Sequence, residues 1–326
     1  MGNPESRACL YVETSVWNTI KYPGGEKLIG ALAKSFHLVY SDEVVHEIAA
    51  TSEAGLRNRL LDALTRFGAL RLIVEGDEAN PNVVGRADNP RCIGTRCQGS
   101  VPGFIALMQK FYGARSSESF AEIAETMQAD IERVWGGLTS EGQAKARDVL
   151  AELKTWSEKL TAAHSAGAGF NGRTMLQQVV GVKLSQIAEQ KIRPPGIIDQ
   201  LWQLLQPKLD QLTGGKVTKE QFFGTEGHPE VRGTTANATT FDRCLSMYVH
   251  LNFIGFAADK QLTDEDRIMG SVRDAYHVAR ATYCQGLITN DLRLHRKAVA
   301  IYEHLGRGIA ILSSVDDDGF SLSQTW

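Results

Sequence analysis

Short apolar runs and amphipathic segments alternate along the first 76 residues of the chain. Each apolar run contains β-branched or aromatic residues and is bounded by polar residues, a pattern typical of buried strands. These runs predict strands at residues 9–16, 36–41 and 70–76. Between them, apolar residues recur at three- and four-residue spacing, which predicts helices at 26–35, 42–50 and 53–67. Because strands that alternate with helices form parallel sheets, this part of the chain predicts an α/β fold.

The same alternation returns near the C-terminal end of the sequence. Thr263-Asp264-Glu265-Asp266 is a capping-box pattern and predicts the start of a helix. After it, the pattern predicts a strand at 286–291, a helix at 292–305 and a strand at 309–314. Elements of the sheet therefore come from both ends of the chain.

The middle of the chain has a different pattern. Residues 77–100 are rich in Asn, Gly, Pro and Arg, which predicts a loop. Beyond them, helical spacing predicts six helices, at 104–113, 117–135, 139–165, 173–190, 196–213 and 239–258. The simplest arrangement is one discontinuous sheet domain, formed by 1–76 and 263–326, with an all-helical insertion at 77–262.

Composition and charge limit the classes of protein that are possible. The chain has 326 residues, 43% of them hydrophobic, which is enough for a packed core. A net charge of −3 argues against a wrapped, histone-like nucleic-acid binder, although a local basic patch stays possible. The sequence contains no apolar run of about 18 residues, the length that would predict a membrane span. Its first residues do not resemble a signal peptide. Five scattered cysteines suit a reducing compartment, so we expect a cytoplasmic protein without membrane contact.

Four acidic residues lie where predicted strands end or on predicted helices near those ends. They are Glu13, Glu47, Asp274 and Asp291. Glu13 and Asp291 each terminate a strand, and the carboxyl ends of parallel strands meet at one edge of a sheet, with neighbours about 4.8 Å apart. In open α/β sheets, ligands bind beyond this edge. We therefore expect the four carboxylates to converge there.

Carboxylates gathered in this way repel one another, and a divalent cation is the ordinary compensation. Ligand sets made only of oxygen atoms suit hard cations. A cation of this kind can generate hydroxide from bound water and stabilise phosphodiester hydrolysis. The four acids thus predict an Mg²⁺ or Mn²⁺ site.

The four acids also lie in four recognisable motifs. These read Glu13-Thr14-Ser15, Ser41-x5-Glu47, Asp274-Ala275-Tyr276-His277-Val278-Ala279 and Thr289-Asn290-Asp291. In this order, and on these predicted elements, the motifs resemble those of the PIN-domain ribonucleases. The resemblance covers residues 9–76 and 263–315 and does not extend to the insertion.

This resemblance implies a fold and an activity. The fold would be α/β, a PIN-like parallel sheet flanked by helices, with the all-helical domain inserted into it. The activity would be that of an Mg²⁺- or Mn²⁺-dependent endonuclease that hydrolyses phosphodiester bonds, most often in RNA. In that case Glu13, Asp274 and Asp291 hold the metal ion, and Glu47 binds it directly or through water.

The neighbours of the four acids have expected roles as well. Four hydrogen-bonding residues would orient the ligands or the scissile phosphate, namely Thr14, Ser15, Thr289 and Asn290. Basic residues cluster on and after the helix that follows Asp291: Arg293, Arg296, Lys297 and Arg307. Of these, Arg293 and Arg296 are the candidates for contact with phosphate, with surface solvation as the alternative.

Two departures from the family pattern keep other functions open. The first acid is Glu13, where the family usually has Asp, and the optional acid after Thr-x-Asp is replaced by Leu292-Arg293-Leu294. A catalytically degenerate PIN-like module that binds nucleic acid or protein is one alternative. A toxin-like nuclease controlled by a protein antitoxin is another. DNA is a possible substrate, and the insertion is a possible site for a protein regulator or for a homo-oligomer.

Single residues also have ordinary structural explanations. Glu13 could cap a helix, Glu47 could be a solvated helix residue, and His277 by itself is more often packed than catalytic. His46-Glu47 begins like a zinc-protease motif, but Ala50 stands in place of the second histidine, so that motif is incomplete. Only the combination of the four motifs favours a metal site.

Overall fold

The structure is a computed structural model. It describes residues 7–75, 82–93, 192–213, 215, 217–226, 239–262 and 264–313, together with single positions between 106 and 151. Four of the predicted helices, at 104–113, 117–135, 139–165 and 173–190, fall outside the described residues except for those single positions. The other two predicted helices of the middle segment are present.

A six-stranded sheet forms the centre of the described part. Its strands are β1 Cys9–Val12, β2 His37–Tyr40, β3 Leu70–Glu75, β4 Asn82–Arg86, β5 Gly286–Ile288 and β6 Ala310–Leu312. They lie in the order β4-β3-β2-β1-β5-β6, and only the β3–β4 pair is antiparallel. The predicted α/β class is confirmed, with a mixed sheet in place of a fully parallel one.

The antiparallel strand β4 corrects the prediction of a continuous loop at 77–100. Its composition is poor in strand-forming signals because Asn82, Gly85 and Arg86 occupy three of its five positions. It is an edge strand, and its pairing with β3 places Gly85 opposite Leu72. A Cβ atom at Gly85 would lie 3.0 Å from the Leu70 side chain, so the glycine allows a close approach that the sequence pattern does not reveal.

Nine α-helices are found among the described residues. They are α1 Thr14–Trp17, α2 Gly25–Ser35, α3 Asp42–Ala49, α4 Ala54–Arg66, α5 Ile197–Thr213, α6 Lys219–Phe222, α7 Thr240–Phe253, α8 Glu265–Ala281 and α9 Leu292–His304. Strand β1 ends four residues before the predicted boundary at 16, because Glu13 begins α1 by accepting a hydrogen bond from the Ser15 backbone N–H. None of the described helices combines the length and apolar character needed to cross a membrane.

Two hydrophobic clusters cover the two faces of the sheet. Side chains alternate along β1, so that Tyr11 joins one cluster while Leu10 and Val12 join the other. The Tyr11 cluster includes Leu201 of α5 and Tyr248 of α7. These two helices, which the pattern predicts as part of the insertion at 77–262, therefore share a core with the sheet. That the rest of the segment forms a separate helical domain stays a prediction.

Candidate metal centre

The predicted site lies beside β1, the strand from which later strands are added on both sides of the sheet. From β1 the chain adds β2 and β3 on one side, and it returns to add β5 and β6 on the other. Val12, the last residue of β1, pairs with Ile288, the last residue of β5. Glu13 therefore lies beside the Thr289-Asn290-Asp291 turn, at a switch point of the kind where α/β sheets bind ligands.

Glu13 is held rigidly although it is buried, with 6% of its surface exposed. Its carboxylate accepts hydrogen bonds from the Ser15 backbone N–H at 2.9 Å, from the Ser15 hydroxyl, and from Thr289 Oγ1 at 3.1 Å. Burial raises the pKa of Glu13, and the charge of Glu47 adds to that rise, whereas His277 and Ser15 oppose it. Glu13 is thus a preorganised carboxyl group whose charged form is disfavoured by its burial.

Glu47 reaches the same place from the second turn of α3. Its Oε2 accepts a hydrogen bond from the Thr14 hydroxyl and lies 3.2 Å from Nε2 of His277. Burial tends to raise the pKa of Glu47, but the hydrogen bond and charge of His277 outweigh it, with help from Thr14, and the net direction is downward. Glu47 is therefore an ionised carboxylate in the metal-free protein.

His277 is the partner that joins these elements, and it is fully buried. Its Nδ1 lies 2.7 Å from the Tyr11 hydroxyl, which lies 2.6 Å from the Ser41 hydroxyl. Burial lowers the pKa of His277, but the hydrogen bond to Glu47 and the charges of Glu47 and Glu13 reverse this and raise it to about 9. In the metal-free protein His277 is an imidazolium that compensates two carboxylates.

Three of the described residues have the arrangement of a metal-binding group. Glu13, Glu47 and His277 each offer one ligand atom, and these atoms lie within 4.8 Å of one another. The expected donor set had only carboxylate oxygens, and the observed group adds an imidazole nitrogen. A ligand set of two carboxylates and one imidazole suits a transition-metal ion such as Mn²⁺ better than it suits Mg²⁺, which prefers oxygen ligands only. His277 would have to lose its proton to bind the ion.

Asp274 and Asp291 lie outside this group of three but belong to its surroundings. Burial raises the pKa of Asp274 well above its ordinary value, and Asp259 adds to that rise, followed by Glu13 and Asp291. Asp291 caps α9 through Oδ1, which accepts from the backbone N–H groups of Arg293 at 2.7 Å and Leu294. Asp274 is thus close enough to interact with Glu13 and Asp291, while Glu13 and Glu47 are the two of the four acids that belong to the group whose ligand atoms lie within 4.8 Å of one another.

The predicted hydrogen-bonding residues contact the acids. Thr14 donates to Glu47, Ser15 donates to Glu13, and Thr289 donates to Glu13 while accepting a bond of 3.0 Å from the Asp291 backbone N–H. The Asn290 backbone N–H donates to Ser15 Oγ at 2.9 Å, which joins the ends of β1 and β5.

A second polar cluster adjoins Asp274, and the sequence pattern does not predict it. Lys297 is fully buried, and its Nζ lies 2.8 Å from Asn252 Oδ1 and 2.7 Å from Asp259 Oδ1. The hydroxyl of Tyr248 lies 3.5 Å from Asp274 Oδ2, and the Lys297 ammonium lies over its ring. Lys297, which the sequence pattern groups with Arg293, Arg296 and Arg307, is therefore neither solvated nor available for contact with phosphate.

The sequence carries a signal for the burial of Lys297 and for the position of His277, although not for Asp259. Lys297 falls three residues after Leu294 and four before Ile301, so it lies on the buried stripe of α9 and not on its polar face. His277 falls three residues after Asp274, which puts both side chains on one side of α8. Asp259 lies in the turn after α7 and has no such signal.

Comparison of the chain with protein-family models, with curated proteins and with solved structures gives no match. The resemblance to the PIN-domain ribonucleases accordingly depends on the four motifs.

Proposed function

We propose that this chain is a PIN-like, metal-dependent endonuclease that hydrolyses phosphodiester bonds in RNA. The observation that carries the proposal is the group of Glu13, Glu47 and His277, whose ligand atoms lie within 4.8 Å of one another at the switch point of the sheet. Asp274 and Asp291 add two further carboxyl groups beside it, close enough to act on each other and on Glu13. The order of the four motifs along the chain supports the same class.

The chain's own residues have definite tasks in this proposal. Glu13 and Glu47 would hold the cation, with Asp274 and Asp291 beside it to complete its coordination directly or through water. Bound Mg²⁺ or Mn²⁺ would supply an activated water and charge stabilisation at the phosphate. Ser15 and Thr289 fix the Glu13 carboxylate by hydrogen bonds, and Thr14 fixes that of Glu47, so that neither has to reorganise.

One observation favours a second candidate, the degenerate module that binds nucleic acid or protein without catalysis. The imidazolium of His277 already compensates the charge of Glu47 and Glu13 in the metal-free protein. In such a site a protonated histidine offsets the Glu47 carboxylate in the place of a cation. Metal binding therefore separates the two functions.

Calorimetric titration with Mn²⁺ and cleavage of a single-stranded RNA test the proposal. We expect the wild type to bind Mn²⁺ and to cleave, and Glu13→Gln to lose both by about 100-fold or more, because direct ligands matter at least as much as their supporting residues. Asp62→Asn is the matched control, since this carboxylate is exposed and pairs with Arg91 on the far half of the sheet. Equal Mn²⁺ binding and cleavage by wild type and Glu13→Gln would remove the basis of the proposal.

A further inference from the structure

A cavity of about 260 Å³ opens on α9, the helix that Asp291 caps. One wall is the first half of α9, through Leu292, His295 and Arg296. The other wall is the segment that leads into α5, through Arg193 and Ile197. Leu292 directly follows Asp291 in the chain, so the cavity lining begins one residue after the helix cap.

The cavity is a built feature of the fold. Leu292, His295 and Arg296 are spaced at i, i+3 and i+4, which places them on one face of α9. The opposite wall is fastened to the same helix by Glu303, whose carboxylate accepts a bond of 2.7 Å from the Gly196 backbone N–H and one from Ile197. The two walls are thus held at a fixed separation.

The charges around the cavity are all of one sign. Arg193 and Arg296 both line it, and no described acidic residue does. Neither guanidinium forms an ion pair with a described residue; Arg193 donates to the neighbouring Ile192 carbonyl oxygen at 3.1 Å, and Arg296 stacks on Phe256 at 5.3 Å. Burial lowers the pKa of Arg296, and the charge of Arg193 lowers it further. An anion between the two guanidiniums would relieve this repulsion.

The rest of the lining is apolar. Leu292 lines the cavity and has 70% of its surface exposed. Ile197 forms part of the opposite wall. A ligand that fits therefore combines an anionic group with a flat or apolar group. The volume lies slightly below the range of about 300–1,000 Å³ for drug-sized ligands, so one small unit fits.

We infer that this cavity binds one nucleotide of a single-stranded RNA, with a backbone phosphate between Arg193 and Arg296 and the base or ribose against Leu292. The inference rests on the proposed function, and it names the side from which the substrate strand approaches the carboxylates. It also divides the predicted phosphate-contacting pair, because Arg296 lines the cavity and Arg293 does not.

Fluorescence anisotropy with a labelled single-stranded RNA of about twelve nucleotides, in EDTA to prevent cleavage, tests this inference. We expect the double variant Arg193→Gln/Arg296→Gln to bind about tenfold more weakly, and its slope of log affinity against log salt to fall by about 0.7 for each phosphate that it no longer neutralises. Arg59→Gln is the charge-matched control, since this exposed arginine lies on α4 and does not line the cavity. Arg193→Lys/Arg296→Lys should keep most of the salt slope because it keeps the charges.

Two results would overturn the inference: RNA binding by the glutamine double variant equal to that of Arg59→Gln, or inorganic phosphate alone binding the wild type as tightly as the RNA. Circular dichroism and the melting temperature of each variant check that the fold is intact. The proposed nuclease function alone is contradicted if the wild type binds RNA through these arginines but shows no cleavage that depends on Glu13. The proposed RNA-binding role of the cavity alone is contradicted if cleavage occurs and the arginines have no effect on RNA binding.

Discussion

Nε2 of His277 lies 3.2 Å from Oε2 of Glu47, although the two residues are 230 positions apart in the chain. The other ring nitrogen of His277 lies 2.7 Å from the Tyr11 hydroxyl on β1. One buried imidazole thus connects a central strand, the helix α3 and the helix α8. It also places a positive charge where a metal ion would compensate the same carboxylates.

Removal of this imidazole should destabilise the metal-free protein. We expect His277→Asn to lower the free energy of unfolding by about 3 kcal/mol, because Glu47 loses its buried partner. Urea denaturation in EDTA measures the change. His37→Asn, at the start of β2, is the control and should change stability by less than about 1 kcal/mol. A His277→Asn variant as stable as the control would show that the pair contributes nothing.

The stability of the metal-free protein should fall as pH rises from about 6 to 9. The folded-state pKa of His277 is raised to about 9, above the unfolded value of about 6.5. The contribution of His277 is therefore fully present below about pH 6.5 and is lost as pH rises through 9, because the folded state binds more protons across this window. The raised pKa values of Glu13 and Asp274 act in the same direction once pH exceeds their unfolded values.

Urea midpoints measured across this pH range in EDTA provide the test. His277→Asn should show a flatter dependence than the wild type between pH 6.5 and 9, because the contribution of His277 is gone and only those of Glu13 and Asp274 remain. A wild-type profile that rises with pH would contradict the assignment of an imidazolium to the folded state.

Two substitutions should separate the role of Asp291 in RNA cleavage from its role as the N-cap of α9. Asn is as good an N-cap as Asp, so Asp291→Asn should keep the stability of α9 while reducing RNA cleavage by about 100-fold or more. Asp291→Ala should lose the same activity and, in addition, about 1 kcal/mol of stability, because the backbone N–H groups of Arg293 and Leu294 lose their acceptor. Full cleavage by Asp291→Asn would remove Asp291 from the site. Asp274→Asn is likewise expected to be inactive with the fold intact, because it removes a carboxylate beside the proposed metal ion and keeps the size of the side chain.

Lys297→Met should be among the most destabilising substitutions in the chain. The ammonium is fully buried against Asp259 and Asn252, so its loss leaves a carboxylate without compensation, at a cost of about 3–5 kcal/mol. Lys34→Met, at an exposed position on α2, is the matched control and should change stability by less than about 0.5 kcal/mol. The second change in Lys297→Met/Asp259→Asn should recover part of the loss, and its failure to do so would mean that packing outweighs charge at Lys297.

The residues that the sequence pattern locates well are those whose neighbours are set by local rules. Glu13 follows a strand of apolar residues, and Thr289 and Asp291 follow another, so their placement at one sheet edge follows from the alternation of strands and helices. Strand β4 is missed because its local composition favours a loop, and only pairing with β3 makes it a strand. Lys297 is misplaced because a basic side chain is ordinarily exposed, and its burial depends on an acceptor contributed by the turn after α7.

The sequence by itself determined the α/β class, the strand ends that carry Glu13 and Asp291, and the helix that carries Glu47. Hydrophobic periodicity and capping residues are local properties, and they are sufficient for these features. Only the tertiary structure decided that His277 joins Glu13 and Glu47, that Asp291 uses one oxygen to cap α9, and that Arg193 faces Arg296 across a cavity. Those relationships join segments far apart in the chain, and no local pattern encodes the distance between them.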